Sequence, residues 1–406
     1  MNLVRLGILR EEKVPSDKRV AFSPAQCVEL LKEYPNLEIY VQPSAIRCFK
    51  DEEYTSLGIT LQEDLSACDY LMGIKEVPID KLIQGKKYLF FSHTLKKQAH
   101  NQKLMKAFIE KKISMIDYEC LTDANHNRII GFGRYAGIVG AYNGILGYGK
   151  KYNLFELKPA HLCRDRNEME EELTRVRLSN IKILVTGGGR VANGTIETLA
   201  VLKIRKVTPY EFLNNAYREP VYCQLHSKDY FEARDGSDWN SKDFYLHPEN
   251  YVPKFLPYTK NCDLLITAHF WDPRSPKFFT KEDMRSADFR ISVVADVSCD
   301  IDGSIPSTIH SSTIAAPFYG YNPITEQEDA PFSTDSITVM AVDNLPCELP
   351  RDASEDFGKE LIERVMPGLL TGVSSGLIPR ATICENGKLT EAFSYLSDYA
   401  YSQNEV

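Results

Sequence analysis

Short apolar runs alternating with amphipathic stretches set the rhythm of this chain. Leu3-Val4-Arg5-Leu6-Gly7-Ile8-Leu9, Glu38–Val41, Tyr70–Ile74, Tyr88–Phe91 and Ser114–Asp117 read as strands: they are short, mostly apolar and bounded by turn-like or helix-like sequence. Between them, Ser23-Pro24-Ala25-Gln26 predicts a helix start, with Ser23 as N-cap and Pro24 in the first turn. Asp51–Leu57 and Lys96–Lys111 read as further helices, the second with Leu104 and Phe108 on its apolar face. Strands alternating with helices predict a parallel α/β domain over the first 130 or so residues.

The pattern then changes. Gly131–Gly149 places Gly131, Gly133, Gly137, Gly140, Gly144, Gly147 and Gly149 among Ala136, Ile138, Val139 and Leu146. Small residues every three or four positions predict a helix packed very close to a neighbour, here an interdomain helix, hinge or contact between copies. Further strands are expected at Ile181–Val185, Ile204–Val207, Cys262–Ala268, Arg290–Asp296 and Ser336–Val342. Residues 214–260 hold Trp239, tyrosines and prolines with little periodicity, and read as a surface insertion. Asp352–Leu361 is amphipathic and leads the chain back to the first domain, making that domain discontinuous.

Two of the early strands run into titratable residues, Tyr70–Ile74 into Lys75 and Tyr88–Ser92 into His93. In open α/β sheets ligands bind beyond the carboxyl ends of the strands. Two cationic groups in one cleft depress each other's pKa, which suits proton transfer near neutrality.

The strongest local motif is Thr186-Gly187-Gly188-Gly189-Arg190-Val191-Ala192, between the strand Ile181–Val185 and a helix over Thr195–Val201. Strand, glycine-rich turn and helix in this order form a dinucleotide fingerprint. Gly187 permits the tight turn, Gly189 lets backbone approach a pyrophosphate, and Ala192 allows close helix packing. The helix N-terminus supplies unpaired N–H groups to the phosphates, so Gly187, Gly188, Gly189, Arg190 and Val191 are the expected cofactor contacts. An acidic residue about 20 positions onward would take the ribose hydroxyls of NAD, and Glu211 has suitable spacing. Arg205 and Lys206 would instead favour a 2′-phosphate, leaving NAD against NADP open. Asp296, closing the strand Arg290–Asp296, is a further candidate, facing the nicotinamide edge of the cleft.

Charge and composition narrow the field. A net charge of −8 over 406 residues argues against a nucleic-acid partner. The first 130 residues are nearly electroneutral, which leaves room there for a basic pocket. No stretch approaches the roughly 20 apolar residues of a membrane span, and the N-terminus lacks the pattern of a signal peptide. Ten scattered cysteines without a Cys-x-x-Cys pair fit a reducing, cytoplasmic setting and give no metal site.

Several of these segments together resemble the L-lysine-forming saccharopine dehydrogenases, above all the lysine–ketoglutarate reductase half of the bifunctional lysine-degrading enzymes. They are Lys75-Glu76-Val77-Pro78, Phe91-Ser92-His93-Thr94-Leu95-Lys96-Lys97-Gln98 and Ile116-Asp117-Tyr118-Glu119. Gly131-Phe132-Gly133-Arg134-Tyr135-Ala136-Gly137, Asp296-Val297-Ser298-Cys299-Asp300, Asp343-Asn344-Leu345-Pro346 and Leu349-Pro350-Arg351-Asp352 carry the likeness onward. The wider superfamily includes alanine dehydrogenase and the alpha subunit of proton-translocating transhydrogenase. The resemblance implies reversible condensation of L-lysine with 2-oxoglutarate and reduction of the imine by NAD(P)H to saccharopine. It implies Lys75 and His93 as the acid–base groups, with Glu76 and Glu119 tuning them. Arg19 matches a substrate-carboxylate arginine, and Lys13, Lys96 and Arg128 match weaker basic positions.

The expected architecture is α/β, two doubly wound Rossmann-like domains with a cleft between them. Residues 1–133, completed by 346–406, form the catalytic domain, and residues 134–345 hold the dinucleotide. A homo-oligomer is left open by the glycine-rich helix. The alternatives are an alanine dehydrogenase-like or other imine dehydrogenase, and, in a different class, a catalytically silent NAD(P)-binding sensor.

Overall fold

The computed structural model describes residues 3–372 and 376–402. The chain forms two compact units, Met1–Phe132 with Pro350–Val406, and Gly133–Leu349. Each is α/β and each is built on an eight-stranded sheet.

The first unit begins with six parallel strands: β1 (Val4–Ile8), β2 (Leu37–Val41), β3 (Thr60–Leu61), β4 (Tyr70–Met72), β5 (Lys87–Phe90) and β6 (Ser114–Asp117). Their order across the sheet is β6-β5-β4-β1-β2-β3, so the chain winds outward from β1 in both directions. Leu6, Ile8, Leu71, Met72, Leu89 and Phe90 are fully buried, as expected of strands covered on both faces. The helix Pro24–Glu33 opens on the expected cap: Gln26 N donates to Ser23 Oγ, and Ser23 N donates to the Gln26 side chain. The helix expected over 96–111 starts later, at Gln102, which leaves Lys96 in the loop after β5.

In the second unit the parallel strands are β7 (Lys182–Thr186), β8 (Arg205–Val207) and β9 (Val221–Leu225), then β12 (Leu264–Thr267), β13 (Val293–Asp296) and β16 (Ile337–Met340). A small hairpin of β10 (Phe231–Ala233) and β11 (Tyr251–Pro253) stands apart, while β14 (Phe318–Asn322) and β15 (Gln327–Asp329) extend the main sheet antiparallel. The sheet order is β15-β14-β16-β13-β12-β7-β9-β8.

That order corrects the expectation for residues 214–260. They are not a surface insertion: β9 lies inside the sheet, directly beside β7, and β8 is pushed to the edge. The same segment supplies Tyr230, Phe231, Phe244, Tyr251, Phe255 and Tyr258 to one buried aromatic cluster. Aromatic packing in place of aliphatic periodicity hid this core from the sequence pattern.

The glycine-rich helix runs Gly133–Lys151 and packs within the second unit against the helix Arg190–Val201. The approach is backbone to backbone. A Cβ on Gly137 would lie 1.8 Å from the Val191 carbonyl oxygen, and one on Gly194 would lie 1.9 Å from that of Arg134. Glycines on both helices therefore allow a separation that any side chain would prevent.

The chain then returns to the first unit. The helix Pro350–Arg364 places Phe357 against Phe91, Tyr118 and Phe132. Beyond it, β17 (Thr382–Glu385) pairs antiparallel with β6, and β18 (Lys388–Leu389) closes that edge.

Candidate functional site

At the carboxyl ends of β4 and β5, the first unit gathers Lys13, Lys75, Glu76 and His93. Glu76 is the hub: its Oε1 lies 2.6 Å from His93 Nδ1, and its Oε2 accepts from Lys13 Nζ at 2.7 Å. Burial works against charge on Glu76, yet hydrogen bonds from His93 and Lys13 override it and hold the carboxyl down to about 2. An ionised Glu76 only accepts, so Nδ1 carries the proton and a neutral His93 keeps its lone pair on Nε2. The His93 ring stacks on Phe91, with centroids 6.4 Å apart.

His93 sits in the left-handed region at φ 51°, where a residue with a Cβ costs about 1 kcal/mol or more. Its neighbours enforce this. The Ser92 and Thr94 hydroxyls lie 2.8 Å apart, Thr94 N donates to Ser92 Oγ, and Asn101 Nδ2 donates to the His93 carbonyl.

The Lys75 ammonium is pushed below its ordinary range, by burial first and then by the positive charges of Arg19 and Lys13. It lines a cavity of about 210 Å³ with Arg10, Glu11, Glu63, Glu76 and Lys81.

The other expected site residues of this unit are placed differently. Arg19 is buried; its Nε and Nη2 close on the two oxygens of Asp17 at 3.0 and 2.6 Å, and its guanidinium lies over Phe132. Arg128 donates to Glu119 at 2.7 Å, and Lys96 is exposed in its loop.

Two residues that pattern alone did not single out hold the strand ends. Glu11, just past β1, accepts from Ile74 N at 2.6 Å and Lys75 N at 2.9 Å. Asp117, the last residue of β6, accepts from Ser92 N at 3.0 Å and from the Ser92 hydroxyl. Both are buried carboxylic acids. Burial, then the nearby Asp17 charge, raises Glu11 to about 8, and burial raises Asp117 to about 6. The available signal was an acid following each apolar run, on strands flanking those that lead to Lys75 and His93.

In the second unit, the turn after β7 carries Gly187, Gly188, Gly189, Arg190 and Val191 along the wall of a cavity of about 770 Å³. Gly187 has φ +97°, and a Cβ there would lie 2.5 Å from the Ala268 carbonyl, so only glycine fits the turn. Gly189 faces open space at the N-terminus of the Arg190–Val201 helix, the approach a pyrophosphate needs. The turn therefore fits a dinucleotide.

Glu211 does not line this cavity. It follows the edge strand β8 and caps the helix Pro209–Asn214, accepting from Thr208 N and Oγ1 at 2.8 Å. The neighbour of β7 is β9, and beyond its carboxyl end His226, Ser227 and Lys228 line the same cavity. Arg205 pairs with Glu219, while Lys206 donates to Gln224, whose amide in turn donates to the Gly187 carbonyl. Asp296 is also corrected: it is buried and accepts from Thr267, Ser298 and Thr308 hydroxyls and from Cys299 N. It shapes the Val297–Ser298 loop that lines the cavity, and does not face it.

Residues 7–139 match the family described as alanine dehydrogenase/PNT, N-terminal domain. That match covers about a third of the chain. An alpha-aminoadipic semialdehyde synthase of Arabidopsis thaliana is 27% identical over 440 residues, covering 96% of this chain and 41% of that protein. A saccharopine dehydrogenase [NAD(+), L-lysine-forming] of Emericella nidulans is 24% identical over 371 residues, 89% of this chain and 90% of that protein. This chain thus spans less than half the length of the semialdehyde synthases it matches, and most of the fungal relative. The solved structure of an L-alanine dehydrogenase has a similar fold, with TM-score 0.63 at 15% identity over 98% of this chain and 100% of that one. Among the described residues no helix is long and apolar enough to cross a membrane. No group of three or more metal-ligating side chains is found among them.

Proposed function

We propose that this protein is an NAD(P)H-dependent oxidoreductase that condenses an amine with a 2-oxo acid and reduces the resulting imine, with L-lysine and 2-oxoglutarate as substrates and saccharopine as product. The observation that carries this is the Lys13–Glu76–His93 relay beside a desolvated Lys75, in a chain that also holds a dinucleotide turn.

Imine chemistry needs two proton carriers. The amine attacks the keto carbon and gives up a proton, the carbinolamine oxygen takes one as water leaves, and the product nitrogen holds one as a secondary ammonium. His93 Nε2 accepts and returns one proton, because Nδ1 is committed to Glu76. Lys75, with its ammonium form disfavoured by burial and by the charges of Arg19 and Lys13, exchanges another. When bound, the nicotinamide supplies the hydride to the imine carbon.

The nucleotide contacts proposed are Gly187, Gly188, Gly189, Arg190 and Val191, with NADPH preferred over NADH. The end of β9 supports this preference: it offers His226, Ser227 and Lys228 to a 2′-phosphate, and Asp229 is engaged in accepting from His226 N. The choice of L-lysine as the amine is tested by NADPH oxidation with 2-oxoglutarate and a panel of amines. Turnover with lysine is expected. No turnover with lysine sinks the assignment, and turnover with pyruvate and ammonia installs an alanine dehydrogenase in its place.

A further inference from the structure

Lys75 and His93 do not sit on strands; each lies in irregular chain just beyond one. Backbone pairing runs on past the strands as Gly73 N to Leu89 O and Phe91 N to Ile74 O, but the N–H groups of Ile74, Lys75 and Ser92 turn to side chains, which must fix them to the accuracy proton transfer demands. We propose that Glu11 and Asp117 are positioning residues, a pair of buried carboxyl clamps that aim Lys75 and His93 by holding backbone N–H groups of the strand ends that carry them. The proposal rests on the acid–base reading of those two residues.

The geometry is matched on the two sides. β4 and β5 are neighbours at the middle of the sheet, flanked by β1 and β6. The clamp for the β4 end comes from the flanking β1, and the clamp for the β5 end comes from the flanking β6. Glu11 straddles the Ile74–Lys75 peptide with one oxygen on each N–H, at 2.6 and 2.9 Å. Asp117 uses Oδ2 on Ser92 N and the Ser92 hydroxyl, and Oδ1 on Glu119 N at 2.7 Å. It thereby fixes the Ser92–Thr94 hydroxyl pair that brackets His93 in its left-handed backbone. Neither acid contacts the Lys75 ammonium or the His93 ring by hydrogen bond, so neither is assigned a proton-transfer step.

Position 73 is built to admit Glu11. A Cβ on Gly73 would lie 3.3 Å from Glu11 Oε1 and 3.4 Å from Leu9 Cδ1. Anything larger than hydrogen at position 73 pushes on the clamp. A buried acid left without partners is costly, and these backbone and hydroxyl donors supply them.

The test uses the full-length, isotope-labelled protein with Glu11→Gln, Asp117→Asn and Gly73→Ala, the last as a milder push on Glu11 should Glu11→Gln fail to fold. Amide proton resonances of Ile74 and Lys75 are expected to move upfield in Glu11→Gln, and that of Ser92 in Asp117→Asn. This readout needs no substrate, so it separates failure of the clamp from failure of the acid–base assignment. Turnover is expected to fall roughly 10- to 100-fold, with the KM for NADPH unchanged. Adding Glu11→Gln to Lys75→Met should cost nothing further, because a residue acting only through Lys75 has nothing left to position. Unmoved amides, turnover within about twofold of wild type, or a full additive loss in the double variant would each overturn the proposal.

Discussion

His93 and Glu76 meet at 2.6 Å although they are separated by 17 residues and stand beyond the ends of two different strands. The pairing fixes which ring nitrogen carries the proton in the neutral ring. Lys75→Met and His93→Gln are each expected to cut turnover by about 10²- to 10⁴-fold while nucleotide affinity stays at the wild-type value. Glu76→Gln should fall in the same range and should also shift the pH profile, because His93 loses its charged acceptor. Steady-state rates against pH, with dinucleotide binding followed by fluorescence, check all three. A variant with unchanged rate removes that residue from the chemistry.

The buried acids predict a pH dependence of stability with a definite sign. Glu11 rises from 4.5 to about 8 and Asp117 from 3.8 to about 6 on folding. A raised carboxyl favours the folded state at low pH, and that advantage drains away as pH climbs through the folded value. Glu76 runs the other way, contributing above its ordinary value and losing it as pH falls toward about 2. The thermal midpoint should therefore decline between about pH 5 and pH 8.5, and Glu11→Gln should flatten the upper part of that decline. A wild-type midpoint that rises across the same interval would contradict both assignments.

Selectivity for the nucleotide is expected to reside at the end of β9. Lys228→Ala should weaken NADPH about 10-fold or more and leave NADH nearly untouched, as loss of one charge-assisted phosphate contact would. Glu211→Ala should alter neither affinity. Titration of each variant with both nucleotides decides between β9 and β8 as the selecting strand.

Two alanine substitutions separate fold from ligand. Gly137→Ala drives a Cβ into a backbone oxygen that cannot move aside and should lower the thermal midpoint by roughly 10 °C. Gly189→Ala meets nothing within 4 Å, so the midpoint should hold while dinucleotide binding is lost. Calorimetry and nucleotide titration on the same two proteins make the comparison.

What could be read from sequence was what local pattern encodes. The Ser23 cap, the apolar strands and the Gly187–Ala192 turn each depend on residues a few positions apart. Lys75 and His93 were visible because apolar runs lead into them. Glu11 was not, since Glu11-Glu12 beside Arg10 looks like an ordinary solvated charge cluster. Only the parallel pairing of β1 with β4 brings it to the Ile74–Lys75 peptide. That Glu211 does not line the cavity was hidden for a related reason. Counting along the chain from the glycine turn finds Glu211 after β8, whereas the sheet inserts β9 between β7 and β8. Topology overrides spacing wherever a strand is added out of sequence order.

The return of the chain at Pro350 has a consequence for how the protein is made. Until that segment leaves the ribosome, β6 is an unpaired edge and the Phe91–Tyr118–Phe132 aromatic group lacks Phe357. The strand that carries Asp117 is thus open to wrong partners through the whole synthesis of the second unit, which is contiguous and can complete itself first. The half that carries the glycine-rich turn is set to be born finished, and the half that carries Lys75 and His93 to be assembled last.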